Sequence, residues 1–227
     1  MATVLVTGSN RGIGLEFARQ YAASGWRVIA TCRNPDAAAE LGAITGDIEV
    51  RKLDMMDLGA IDALAGDLDG TAIDVLLLNA GINPQPEAPP SGGTDYVAWA
   101  DAFRTNTMAP LRAAVAFAEH VTSSEQKVIA SISSGNASIE RNPGGNYVYR
   151  STKAALNLCM SGLSKEFKDR GTTIIMLSPG WVRTDMGGPN AARSPEESIS
   201  DMRAIIEGLG PEDNGRFVHY DGTDVPW

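Results

Sequence analysis

Residues 3–19 read Thr3-Val4-Leu5-Val6-Thr7-Gly8-Ser9-Asn10-Arg11-Gly12-Ile13-Gly14-Leu15-Glu16-Phe17-Ala18-Arg19, and the spacing within this stretch decides the fold. The apolar, β-branched run 3–7 predicts a strand, and the residues from Gly12 onward predict a helix over 12–23. Between them lies a turn with glycines spaced Gly-x-x-x-Gly-x-Gly. A strand that passes through such a turn into a helix aims unpaired backbone N–H groups and the positive end of the helix dipole at one point. That arrangement suits a pyrophosphate, whose approach a Cβ would block. The same residues also fit a plain tight turn between strand and helix; placement on the first strand favours the nucleotide.

Working outward, short β-branched runs alternate with longer helical stretches, the pattern of βαβ units that feed a parallel sheet. Strands are expected at 3–7, 27–31, 48–53, 73–78, 127–132, 173–177 and 217–220. Helices are expected at 12–23, 35–44, 57–68, 95–121, 147–169 and 195–208. Val75-Leu76-Leu77-Leu78 and Ile174-Ile175-Met176-Leu177 are continuously apolar, as central strands covered on both faces are. The expectation is an α/β fold: a Rossmann-type, doubly wound parallel sheet of about seven strands with helices on both faces, residues 1–227 forming one domain. Three stretches rich in Pro, Gly, Ser and Asn, at 83–94, 135–146 and 187–195, each follow a strand and precede a helix. They are read as loops at the carboxyl edge of the sheet, where ligands bind in this architecture.

Composition narrows the partners. The formal net charge of -9 supplies no counterion-release drive toward nucleic acid or anionic lipid, and neither is expected as a partner. No apolar run approaches membrane-spanning length. Cys32 and Cys159 lie far apart with no Cys-x-x-Cys, so neither a disulfide framework nor a zinc site is expected, and a reducing cytoplasm fits best. With a strand expected from Thr3, no leader is expected. His120 and His219 lack clustered ligands, so no metal is expected.

The run Thr-Gly-x-x-x-Gly-x-Gly resembles that of the short-chain dehydrogenase/reductase family, and departs from the Gly-x-Gly-x-x-Gly of two-domain dehydrogenases. The resemblance implies that Gly8, Asn10, Arg11, Gly12, Ile13 and Gly14 hold a dinucleotide. It also implies that Asp54, at the end of the third strand, holds the adenine amino group. Asn79-Ala80-Gly81 resembles the family's Asn-Ala-Gly, with Gly81 admitting the ribose and Asn79 tying strands together. Where an NAD-binding protein places an acid, this chain has Cys32 followed by Arg33. Arg33 and Arg11 are positioned to flank a 2′-phosphate, so NADP(H) is expected over NAD(H), against the plainer reading of two solvated arginines.

Tyr149-Arg150-Ser151-Thr152-Lys153 sets a phenol and an ammonium at i and i+4, on one face of a helix. Such a pair arises by chance in roughly one chain of this size in ten, so context has to carry it. An ammonium about 5 Å away at an effective dielectric near 20 stabilises a phenolate by about 3 kcal/mol, or about two pKa units. By resemblance, Tyr149 exchanges a proton with the substrate oxygen, and Lys153 lowers its pKa and holds the nicotinamide ribose. Ser134 hydrogen-bonds the carbonyl oxygen, with Ser133 as the alternative. Asn106 holds a water linking Lys153 to solvent. Pro179, Gly180, Val182 and Thr184 resemble the segment that holds the nicotinamide carboxamide, and 187–189 could hinge a lid. Cys159 is expected to pack.

Within the family, the short C-terminus, Thr31-Cys32-Arg33-Asn34 and Asp221-Gly222-Thr223 look like the C-factor-like and carbonyl-reductase-like branch. The implied chemistry is reversible NADPH-dependent reduction of an aldehyde or ketone, with a small-molecule carbonyl or alcohol as partner. The alternative is an NADP(H)-binding signalling or regulatory protein of C-factor type with little turnover. Ile139, Tyr147, Trp181 and Met186 are expected to shape the substrate pocket. The helices around Trp99 and Leu156 either form a homodimer or homotetramer interface or stay solvated.

Overall fold

The computed structural model describes residues 1–84 and 93–227; of the loop expected over 83–94, residues 85–92 lie outside the described residues. Seven strands, β1 (Thr3–Thr7), β2 (Arg27–Cys32), β3 (Ile48–Lys52), β4 (Val75–Leu78), β5 (Val128–Ile132), β6 (Thr173–Ser178) and β7 (Phe217–His219), form one sheet. Its order is β3-β2-β1-β4-β5-β6-β7 and all six pairings are parallel. Chain direction across the sheet reverses between β1 and β4, which opens a crevice at their carboxyl ends. This is the Rossmann-type α/β fold expected from the sequence.

Successive side chains of a strand point to opposite faces, which explains the continuous apolar runs. Leu5, Leu76, Leu78, Ile129, Ile174 and Met176 pack on one face with residues of α3 (Leu58–Asp67), α5 (Ala109–Ala116) and α7 (Tyr147–Glu166). Val4, Val6, Leu77, Ala130, Ile175 and Leu177 pack on the other with α1 (Gly12–Ala23) and α8 (Pro195–Glu207). Gly25 and Gly171, with φ of 77° and 71°, take the left-handed conformation just past helical segments, where a side chain would be strained. α8 opens on a capping box between Ser194 and Glu197, and Asp57 caps α3 by accepting from the Ala60 N–H.

Two expected helices are broken. The 35–44 stretch becomes a 3-10 turn, Pro35–Ala37, and the short α2 (Ala39–Gly42). The 95–121 stretch becomes α4 (Tyr96–Phe103), a π-helical turn (Arg104–Met108), α5 and α6 (Ala118–Thr122). Pro110 offers a physical reason for the second break: it has no N–H to give the carbonyl of residue 106, so the regular ladder cannot continue through this turn. The Ala109 N–H bonds instead to the Arg104 carbonyl, five residues back. Among the described residues no helix is long and apolar enough to cross a membrane, and no group of three or more His, Cys, Asp or Glu side chains could hold a metal ion.

Candidate active site

A cleft of about 530 Å³ runs along the carboxyl ends of the strands, a size suited to a cofactor-sized ligand. On one side its wall is built from backbone. Gly8, Asn10, Arg11, Gly12, Ile13 and Gly14 line it, followed by Cys32 and Arg33 after β2 and Asp54 after β3. A Cβ on Gly14 would collide with the Gly8 carbonyl and lie 2.5 Å from the Asn79 amide nitrogen. Gly8 and Gly12 take φ of 70° and 56°, which L side chains rarely adopt. The glycines are therefore required by close approach and by backbone conformation. Thr7 organises the crossing: its Oγ1 accepts the N–H groups of Asn79 (3.0 Å) and Ala80 (3.1 Å). The Asn79 side-chain amide donates to the carbonyls of Thr7 and Gly8, both at 3.0 Å. Asp54 is fixed by the Met56 N–H, which donates to its carboxylate at 2.9 Å.

The other side is built from side chains. Tyr149 and Lys153, one turn apart on α7, both line the cleft, and the Lys153 Nζ lies 5.7 Å from the centre of the Tyr149 ring. Lys153 is 3% exposed and donates to the Ile132 carbonyl at 2.7 Å. Ser134 stands near enough to the Tyr149 phenol to oppose the effect of burial on it, and its hydroxyl accepts the Asn136 N–H at 3.2 Å. Ser133 is committed elsewhere, its hydroxyl donating to the buried Asn157 side chain at 2.6 Å. Of the two serines, Ser133 lines the cleft and Ser134 stands beside the phenol.

Burial governs the protonation of the pair. Tyr149 is half-buried, and loss of solvent pushes the phenol up to about 12, with the nearby Ser134 hydroxyl opposing. The same cause pushes the Lys153 ammonium down to about 8. Burial, and not the charge of Lys153 expected to lower the phenol, is the larger effect for both groups.

Asn106 sits in the π-helical turn, fully buried. Its side chain accepts from the Ile82 N–H at 2.8 Å and donates to the Ile82 carbonyl at 2.8 Å and to Thr152 Oγ1 at 2.9 Å. The carboxamide is thus spent on protein. A Cβ on Gly81 would meet the Asn106 oxygen at 3.3 Å and the Lys153 ammonium at 3.4 Å, so the glycine lets these groups approach the strand end.

Pro179 and Thr184 join the cleft wall; Gly180, Val182, Asn106 and Ser134 do not form part of it. Gly180 lies under the Tyr220 ring, and Val182 is buried and bridges to Arg193. Sequence reasoning missed Leu53, Met55, Met56, Ile82 and Thr105 as wall residues. The first four follow strand ends closely, a positional signal that the sequence did carry. His120 is a core residue whose Nε2 lies 3.1 Å from the Ala65 carbonyl, and His219 meets Arg141 at 3.2 Å. Cys32 is buried and Cys159 partly so, and both are free thiols.

A parallel sheet with its crevice at the β1–β4 reversal, and a glycine-lined cleft that a phenol and an ammonium enter from one helical face, together define a Rossmann-type protein. The model of the short chain dehydrogenase family matches residues 2–194, and the chain belongs to this family of oxidoreductases. C-signal of Myxococcus xanthus is 39% identical over 156 residues, 68% of this chain and 93% of that protein. Carbonyl reductase Sniffer of D. melanogaster is 32% identical and superposes with a TM-score of 0.91 over 100% of both chains. The NADPH-bound carbonyl reductase from chicken fatty liver is 31% identical, with a TM-score of 0.91 over 100% of this chain and 99% of that one.

Proposed function

We propose that the protein is a single-domain, NADPH-dependent oxidoreductase that reduces an aldehyde or ketone to an alcohol, reversibly. The observation that carries this reading is the placement of the Tyr149 phenol and the Lys153 ammonium, one turn apart on α7 and 5.7 Å from ring centre to Nζ, in the cleft that the glycine loop also lines. The cradle fits a dinucleotide: a Cβ at Gly14 has no room, and α1 starts at Gly12 on the cleft wall, where the unpaired N–H groups of a helix start suit phosphates. Gly8 to Gly14, Asp54, Asn79 to Gly81, Pro179 and Thr184 would hold it. Cys32 in place of an acid, with Arg33 and Arg11 on the wall, supports NADP(H) over NAD(H). The carbonyl reductase bearing NADPH is in keeping with this choice.

A reduced nicotinamide, when bound, supplies the hydride for the carbonyl carbon. Tyr149 donates its proton to the carbonyl oxygen as charge builds there. A phenol at about 12 is protonated at neutral pH, the state that reduction requires. Ser134 offers a fixed hydrogen bond to the same oxygen, an interaction that strengthens as charge develops. Lys153 places positive charge beside the phenolate that is left and, as in the family it resembles, binds the nicotinamide ribose. Asn106 serves the proton path through its backbone: the carboxamide is already committed, whereas Pro110 has no N–H to occupy the Asn106 carbonyl.

The relation to C-signal favours a second reading, a signalling protein with little turnover. NADPH oxidation measured across a panel of aldehydes and ketones separates the two. Turnover of any member that is lost in Tyr149→Phe supports the reductase, and uniform inactivity with intact NADPH binding supports the signalling role.

A further inference from the structure

The two arginines on the cofactor side of the cleft are not equivalent. Both line the wall. Among the described residues, Arg33 takes part in no ion pair within 4.0 Å, whereas Arg11 is paired with Asp185 at 2.8 Å. The pair joins the glycine loop to the segment after β6, across 174 positions of sequence, and Asp185 itself lines the cleft. Its base is fixed. Thr184 Cγ2 lies 3.3 Å from where a Cβ on Gly12 would stand, and Thr184 Oγ1 accepts the Gly187 N–H at 3.1 Å. Trp181 Nε1 donates to the Gly187 carbonyl at 2.7 Å, so the segment that carries Asp185 is tied to itself and not a free strand of chain.

We infer that Asp185 is a specificity-determining residue that competes with the 2′-phosphate of the cofactor for Arg11. The side chains of Arg11 and Asp185 keep 67% and 75% of their surface exposed, and an ion pair so solvated is weak. A phosphate dianion offers the guanidinium a stronger, bidentate partner and displaces the carboxylate. The carboxylate then remains on the cleft wall as an uncompensated like charge, which lowers affinity for the phosphorylated cofactor and speeds its release. Arg33, with no such competitor, carries most of the 2′-phosphate recognition. Asp185 thus limits the tightness of a cofactor that must leave after every turnover.

This inference rests on the NADP(H) reading, and the test separates the two. Dissociation constants for NADPH and NADH are measured by titrating the cofactor-free protein at low and high salt. The variants are Asp185→Asn, Asp185→Lys, Arg11→Ala, Arg33→Ala and the double variant Arg11→Ala with Asp185→Asn. Asp185→Asn is expected to tighten NADPH by about three- to fivefold at low salt, with NADH changed less than twofold and the gain shrinking as salt rises. Asp185→Lys should tighten it further. In the Arg11→Ala background the gain from Asp185→Asn should vanish. Equal tightening of both cofactors, no tightening of NADPH, or a gain that persists without Arg11 each overturn the competition. The NADP(H) reading fails separately, if the unaltered protein binds NADH as tightly as NADPH and Arg33→Ala changes neither.

Discussion

The two sides of the cleft are made of different material. Between β1 and β3 the wall is main chain: glycines that admit no Cβ, N–H groups at a helix start, and a threonine hydroxyl that pins one strand end to the next. Between β4 and β6 the wall carries polar side chains held by hydrogen bonds, Lys153 on the Ile132 carbonyl and Ser133 on Asn157, with Asn106 fixed behind it on Ile82 and Thr152. Main chain suits a ligand with fixed charge, because its N–H groups cannot change protonation. Side chains suit a proton transfer, because burial can move their pKa values. The phosphate-facing side is therefore expected to respond to changes of shape, and the reactive side to changes of single atoms.

The largest test removes one oxygen. Tyr149→Phe should lower kcat by about 10³-fold while the NADPH dissociation constant stays within about twofold, since general acid catalysis contributes on that scale. A comparable loss of binding would show that the two sides are not separable. Next comes the pair of serines. Ser134→Ala should cost about 10²-fold in kcat as a lost hydrogen bond to the developing charge. Ser133→Ala, measured by denaturant unfolding, should instead cost about 1–3 kcal/mol of stability by stranding the buried Asn157 carboxamide.

Lys153→Met sharpens the comparison through pH. The ammonium is held at about 8 in the fold against 10.5 in the unfolded chain. Below pH 8 both states are charged and the fold bears the full penalty of burial. Between 8 and 10.5 the unfolded chain binds the extra proton, so stability of the unaltered protein rises with pH. In the cofactor-free protein, Lys153→Met should accordingly be more stable by about 3 kcal/mol at pH 7, a gap that closes by about pH 10.5. A constant gap in melting experiments across this range would argue against a buried ammonium. The smallest effect belongs to the main-chain side. Gly14→Ala should cost about 1–3 kcal/mol of stability and weaken NADPH, because backbone and the Asn79 amide have to move. Gly66→Ala, in α3 with open space around it, should gain about 0.5–1 kcal/mol.

The same division governs what could be read from the sequence. The glycine loop was legible because its requirement is local: missing side chains at set intervals between a strand and a helix. Strand positions were legible because parallel strands covered on both faces are apolar at every residue. The helix expected over 95–121 was misread as continuous, since periodicity outweighed Pro110 and the Thr105-Asn106-Thr107 run. The partners of Asn106 were not legible, as they lie 24 and 46 residues away. Nor was Asp185, 174 residues from Arg11. The Tyr149 and Lys153 spacing was plain, yet their protonation depends on burial that no spacing encodes.

The Asn79 side chain reaches 72 residues back to close the first loop of the chain. That loop is therefore synthesised well before it can be completed, because its geometry waits for a strand made much later. Parallel pairings of this span form slowly, since the intervening chain must be ordered before the contact repays it. A ligand that recognises only the closed loop favours the state in which both strands have met, and by mass action it stabilises the whole molecule. The dinucleotide, on this view, is also a late-arriving fastener for the fold.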